Sequence, residues 1–179
     1  MIILEGMDGS GKSTLAKEIG LPIIHPGAPP KTKELEAQFF FTQCQDAHRP
    51  VVYDRVTCIS QQVYRKRMFD PWYMNCLNQL ISTPHCVIVY CRPPDEIVLD
   101  LSKHTVSDHD TPEMLQLVRD NAALFLKSYD ELMATIPHVK YDYTTMDLQS
   151  FLIELAPTQY IYKEWLKCMK QQKQTPKLS

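Results

Sequence analysis

Eight consecutive residues near the start of the chain, Gly6, Met7, Asp8, Gly9, Ser10, Gly11, Lys12 and Ser13, satisfy the pattern G-x-x-x-x-G-K-[ST]. Each residue type has a task if the bound group is a polyphosphate. The glycines let successive backbone N–H groups curl around phosphate oxygens, with the positive end of a following helix beneath them. Lys12 would bring an ammonium to the β- and γ-phosphates, the Ser13 hydroxyl would enter a Mg²⁺ shell, and Thr14 would support the helix start. The context makes the pattern specific: an apolar run, Ile2–Leu4, precedes it and helix-forming residues follow it. Asp8 stands apart, because a carboxylate inside such a loop is repelled by phosphate. It serves either the sugar or metal of a second ligand or a local loop cap.

A second group follows the apolar run Val51–Tyr53. Asp54 and Arg55 stand where a parallel strand would end, the place where α/β sites gather. The carboxylate can hold metal-bound water, and the guanidinium can grip phosphate through its fork of donors, the plainer alternative being a strand-end salt bridge. His25, Pro26 and Gly27 form a further candidate loop in which the imidazole can donate to a phosphate or a hydroxyl. Downstream, the Gln62 amide can pair with a base edge in either direction. Tyr64 can stack, bound a sugar or pack on its own helix face. Arg65 and Arg67 read equally as phosphate ligands and as surface charge.

These residues need elements to hold them. A chain of 179 residues with 44% hydrophobic residues suits one compact domain, and a formal net charge of -2 gives no bulk attraction for a nucleic-acid polymer. Phosphate recognition must then be local. All five glycines lie within the first 27 positions, so unusual backbone is expected there and not later. The six cysteines form no C-x-x-C pair, which fits reduced thiols and a cytoplasmic location. No stretch reaches the roughly 18 apolar residues of a membrane span, and no secretion signal opens the chain.

Short apolar runs predict strands at Ile2–Leu4, Leu21–His25, Val51–Tyr53, Cys86–Cys91 and Val139–Tyr143. Helices are expected over Thr14–Ile19, Lys33–Gln45 with Thr32 as cap, Ile59–Lys66, and Trp72–Ile81 with Asp70 as cap and Pro71 at its first position. Asp95–Leu101 suits one or two helical turns. The spacing Leu115, Val118, Ala122, Phe125, Tyr129, Leu132, Ile136 predicts the longest helix, and Asp147–Leu155 and Tyr160–Gln171 complete the set. Strands alternating with helices argue for a parallel sheet between two helical layers. The basic end, about residues 172–179, reads as a frayed tail.

The segment EGMDGSGKST, Glu5–Thr14, resembles the opening of thymidylate kinases and the wider deoxynucleotide and deoxynucleoside kinase group. HPGAPP is similar to that family's proline-glycine loop, YDRVTCISQQVY to its Asp-Arg segment, and VIVYCRPPDEIV to its fourth strand and following turn. The resemblance covers most of residues 1–145. It implies a P-loop NTPase fold: a three-layer α/β sandwich, five parallel strands in the order 2-3-1-4-5, forming a single domain. ATP and Mg²⁺ would be donor and cofactor, with Ser13 and Asp54 toward the metal. The acceptor would be a deoxynucleoside 5′-monophosphate, dTMP or a related pyrimidine nucleotide by default. Arg55 would take its phosphate, Asp8 its sugar and Phe40 its base, while Asp142 and the residues after it would close over the donor base. The family commonly forms homodimers, and Ile59, Val63, Phe69, Trp72 and Leu77 either contact a partner or merely fill the core.

The chain departs from that family in three places. Arg-Glu usually precedes the proline that here follows His25, and Thr42–Gln43–Cys44 carries no arginine. The lid, about residues 101–112, lacks arginine as well, so Lys103 is the first choice for its cation, with Arg92 and Arg119 as substitutes. A deoxynucleoside kinase is the alternative sharing these motifs, and a non-catalytic nucleotide-binding switch or scaffold is the alternative from another class.

Overall fold

The computed structural model describes residues 1–27, 32–84, 86–100 and 112–154. Five strands, β1 (Ile2–Glu5), β2 (Ile23–Ile24), β3 (Val52–Asp54), β4 (Val87–Cys91) and β5 (Val139–Tyr141), form one parallel sheet in the order β2-β3-β1-β4-β5. Its helices are α1 (Lys12–Ile19), α2 (Lys33–Asp46), α3 (Thr57–Tyr64), α4 (Pro71–Ile81), α5 (Asp95–Val98), α6 (Pro112–Met133) and α7 (Leu148–Glu154). This is the three-layer P-loop NTPase fold that the sequence predicts.

The two faces of β1 explain the layers. Ile2 and Leu4 pack with Leu15, Ala16 and Ile19 of α1 and Phe151 and Leu152 of α7. Ile3 points the other way, into a larger core with Ile59 and Val63 of α3, Leu77 and Leu80 of α4, and Phe125 and Tyr129 of α6. Strand alternation thus feeds both layers at once. Truncating Leu77, wholly buried in this core, to alanine should cost about 2–5 kcal/mol. β1 sits centrally, with Ile3 in register with Tyr53 of β3 and Ile88 of β4. The phosphate-loop motif therefore leaves the sheet from its middle strand.

Several boundaries differ from expectation for local reasons. β2 is two residues long rather than five, because Pro22 has no N–H to give and Pro26 follows His25. α1 begins at Lys12, two residues earlier than expected, with Gly11 as a left-handed cap at φ 84°. α6 stops at Met133 rather than Ile136. The next three residues close in turns, Thr135 N–H onto Leu132 O and Ile136 N–H onto Met133 O, as the residue before Pro137 leaves the helical region. Thr32 and Asp70 cap α2 and α4 as read, accepting from Leu35 N–H at 3.3 Å and Trp72 N–H at 2.9 Å. The expected helix over Tyr160–Gln171 and the tail lie outside the described residues. Among the described residues no helix is long and apolar enough to cross a membrane.

Candidate nucleotide site

The loop from Gly6 to Gly11 joins the end of β1 to α1, and its first glycine is obligatory on steric grounds. Gly6 has φ 141°, and a Cβ there would lie 2.4 Å from the Cys91 carbonyl oxygen at the end of β4. The loop is pressed onto the neighbouring strand. Lys12 is buried, and its ammonium donates to Gly6 O at 3.0 Å, Met7 O at 2.7 Å and Ser10 Oγ at 3.4 Å. The charge is thus centred in the ring of backbone that the motif forms. Burial, and then the Arg55 charge, lowers the pKa of Lys12. An arriving polyanion would favour its charged form. Met7 and Ser10 are buried inside the turn, Gly9 lies exposed at its tip, and Thr14 is exposed on the first turn of α1.

Asp54 ends β3 beside this loop. Its Oδ2 accepts from Ser13 Oγ at 3.4 Å and lies 3.4 Å from His25 Nδ1. Three residues singled out separately in the sequence therefore converge. Arg55 follows with φ 76°, a left-handed conformation for a non-glycine residue. That twist turns the guanidinium back over the loop, where Nη2 donates to Asp8 Oδ1 at 2.5 Å, Tyr64 OH at 3.1 Å and Gly6 O at 3.4 Å. The guanidinium also lies over the Tyr64 ring, 5.2 Å from its centroid. Its Nε–H is buried and has no partner among the described residues. Asp8 is therefore charge-paired across the cleft, which answers the repulsion that its place in the loop posed.

No residue spacing in the sequence points to Glu5. This acid is completely buried, its Oε1 accepts from Val56 N–H at 2.6 Å, and its Oε2 accepts from the Tyr129 hydroxyl at 3.2 Å. Burial raises its pKa to about 7, against the pull of the Val56 N–H and the Arg55 and Lys12 charges. One signal was available: an acid ending an otherwise apolar strand is placed there at a cost unless something holds it. Gln43 stands in the Thr42–Gln43–Cys44 segment that carries no arginine. It is buried on α2, and neither its amide oxygen nor its nitrogen has a partner among the described residues.

The remaining candidates are distributed as follows. Pro26 and Gly27 continue from His25, Gly27 at φ 75° with open space around its Cα. Phe40 is half-buried, with its ring edge-on to Trp72 at 6.4 Å, while Phe41 points into solvent, as three consecutive phenylalanines on a helix require. Gln62 is wholly buried; its nitrogen donates to Cys58 O at 2.8 Å and its oxygen has no partner among the described residues. Arg65 lies 3.7 Å from Glu36, which leaves it in an ion pair. Asp142 organises the turn after β5 by accepting from Thr144 N–H and Oγ1, and these bonds, offsetting partial burial, lower its pKa. Tyr143 of that turn covers the phosphate loop so closely that a Cβ on Gly11 would lie 2.7 Å from its ring.

Two alternatives that the sequence leaves open are decided. Arg92 is not a free cation for a lid: it donates to both carboxylate oxygens of Asp130, to Asp95 and to Pro93 O. It braces β4 against α6. Ile59, Val63 and Leu77 lie in the core and are unavailable to a partner chain, whereas Phe69 and Trp72 are exposed. Arg119 is exposed on α6, and Lys103 falls outside the described residues.

Among the described residues no cluster of three His, Cys, Asp or Glu side chains suits a metal. The hard oxygen pair of Ser13 and Asp54 nevertheless fits Mg²⁺, which takes few protein ligands and fills its shell with water and substrate phosphates.

No family model matches the chain, and no curated protein matches it. Solved structures do. YorR from Bacillus subtilis, in complex with phosphorylated GDP, is 21% identical, with 87% of this chain and 96% of that one covered at a TM-score of 0.55. Shikimate kinase from Aquifex aeolicus is 15% identical over 98% and 99% of the two chains at 0.47. A deoxyadenosine kinase from M. mycoides with bound dCTP is 18% identical over 89% and 100% at 0.43. At these identities the likeness to YorR supports the fold and nothing finer.

Proposed function

We propose that the protein is a phosphotransferase that moves the γ-phosphate of ATP, with Mg²⁺, onto a small nucleotide-class acceptor. The observation that carries this reading is Arg55. Its guanidinium is anchored to the phosphate loop through Asp8, and its Nε–H has no partner among the described residues, which leaves the fork with a donor to spare. A deoxynucleoside 5′-monophosphate suits that donor, with dTMP the default by resemblance. The crystal structure of YorR holds a guanine nucleotide, which widens the bases worth testing. Ser13 and Asp54 would hold Mg²⁺ together with phosphate oxygens, and the metal would neutralise charge on the transferring group. Lys12 would do the same from within the loop. Phe40, Gln43 and Gln62 offer an aromatic edge and two incompletely paired amides for a base. Tyr143, whose ring lies against Gly11, and the Asp142 turn would close over the donor base.

A second reading, a deoxynucleoside kinase, has its own support. That chemistry needs a base for the 5′-hydroxyl proton, and His25 backed by Asp54 at 3.4 Å is such a pair. Incubating the protein with ATP, Mg²⁺ and a panel of nucleosides and monophosphates separates the two. Turnover of monophosphates supports the first, turnover of nucleosides alone supports the second, and tight ATP binding with no product on any acceptor leaves the binding switch. Pairing of two chains through helices would fall on surface residues such as Phe41, Phe69 and Trp72. Light scattering at twice 20.8 kDa would support it, and the single-chain mass would reject it.

A further inference from the structure

Glu5 lies one residue ahead of the phosphate loop and touches solvent nowhere. No ligand can reach it, yet both its carboxylate oxygens are engaged. The partner of one is the N–H of Val56, which caps α3 without any side-chain bond of its own. The preceding N–H, that of Arg55, donates to Leu4 O at 2.9 Å. The last two residues of β1 therefore hold two consecutive N–H groups, one on each side of the left-handed residue. A non-glycine residue keeps such a conformation only where its surroundings over-determine it. Through Tyr129, the second oxygen ties the same turn to α6. Tyr129 in turn lies 6.0 Å, ring to ring, from Tyr64, on which the guanidinium rests.

We propose that Glu5 is a positioning residue that acts through the Asp54–Arg55–Val56 turn, accepting the Val56 N–H so that Arg55 stays twisted back over the phosphate loop. Its use as a hydrogen-bond acceptor, rather than its charge, is what the turn requires. Glu5→Gln keeps an acceptor oxygen in place, while Glu5→Leu fills similar space and leaves the Val56 N–H unpaired in a buried site.

The consequence for acceptor affinity rests on the phosphotransferase reading, but the placement of Arg55 can be measured without it. In ¹⁵N relaxation, the Arg55 Nε–H should be ordered in the wild type and in Glu5→Gln, and mobile in Glu5→Leu. An equally ordered Nε–H in Glu5→Leu overturns the proposal whether or not any acceptor is phosphorylated. With an acceptor in hand, Glu5→Leu should raise its KM by about ten-fold or more while the ATP KM moves by less than about two-fold. Glu5→Gln should recover most of that loss, and Glu5→Leu should add almost nothing in an Arg55→Ala background, the coupling expected if one acts through the other. Equal losses for both substrates, or an undiminished loss in the Arg55→Ala background, reduce Glu5 to a structural residue. If Glu5→Leu does not fold, Glu5→Asp withdraws the acceptor by one methylene and serves in the same comparisons.

Discussion

At the scale of single residues, the site turns on two cations with different duties, Lys12 buried and Arg55 half-buried. Lys12 is a point charge inside a ring of backbone oxygens. Lys12→Ala should therefore leave the circular-dichroism spectrum unchanged and lower phosphoryl transfer by roughly 10²–10³-fold, the usual effect of removing one preorganised stabilising group. A variant with near-full turnover would show that the loop is not the donor site. Arg55 is instead a fork, aimed by a left-handed backbone and already bonded to Asp8 and Tyr64. Arg55→Lys keeps the charge and loses the geometry. Acceptor KM should rise by about ten-fold or more with donor KM much less affected; steady-state kinetics varying each substrate in turn checks it. Equal effects on both would return Arg55 to a strand-end ion pair.

Elements carry the next level. The carboxyl ends of β1, β3 and β4 lie side by side in register, so the phosphate loop, the Asp54–Arg55 turn and the Cys91–Arg92 segment meet at the carboxyl end of the inner strands. Arg92 shows what the third of these does. Its bonds to Asp130 and Asp95 clamp the end of β4 to α5 and α6, the helices that flank residues 101–111. Asp95 and Asp130 are substantially solvent-exposed, which discounts the ion pairs. Arg92→Ala should then cost about 1–2 kcal/mol, seen as a fall in Tm of roughly 2–8 °C by differential scanning calorimetry. Its kcat should stay near that of the wild type. A large fall in kcat at unchanged Tm would restore Arg92 as a cation of the transfer step.

For the whole molecule, Glu5 links function to pH-dependent stability. Its carboxyl is raised from 4.5 to about 7 in the folded state, so the folded protein binds its proton more tightly than the unfolded chain does. The contribution to stability is complete below about pH 4.5 and is lost as pH rises through about 7, on the order of 3 kcal/mol in all. Glu5→Gln carries no such proton. Its stability relative to the wild type should climb between about pH 5 and pH 8, measured by urea unfolding across that range. Carboxyls held low, such as Asp46 and Asp130, act in the opposite direction at acid pH but equally in both proteins, so they cancel in the comparison. A constant difference at every pH would mean that Glu5 titrates normally.

Local pattern was enough to read the conformation of the Gly6–Ser13 loop, because a glycine, lysine and serine at fixed spacing specify its consecutive backbone groups directly. The same holds for the five strands and their layers, since apolar runs and helical periodicity are short-range signals of burial. Strand order in the sheet came by resemblance, and the geometry agrees with it. What remained illegible depends on residues far apart in the chain. Arg92 reads as a loose cation until α6 brings Asp130 to it from 38 positions away. Ile59, Val63 and Leu77 read equally as core or interface until α3 and α4 pack under the sheet. Glu5 opens the segment that carries the resemblance, yet no spacing in the sequence gives it a role. Its meaning comes from Val56 and Tyr129, 51 and 124 residues distant, because the left-handed turn at Arg55 is stabilised by contacts that only the folded sheet and α6 can supply.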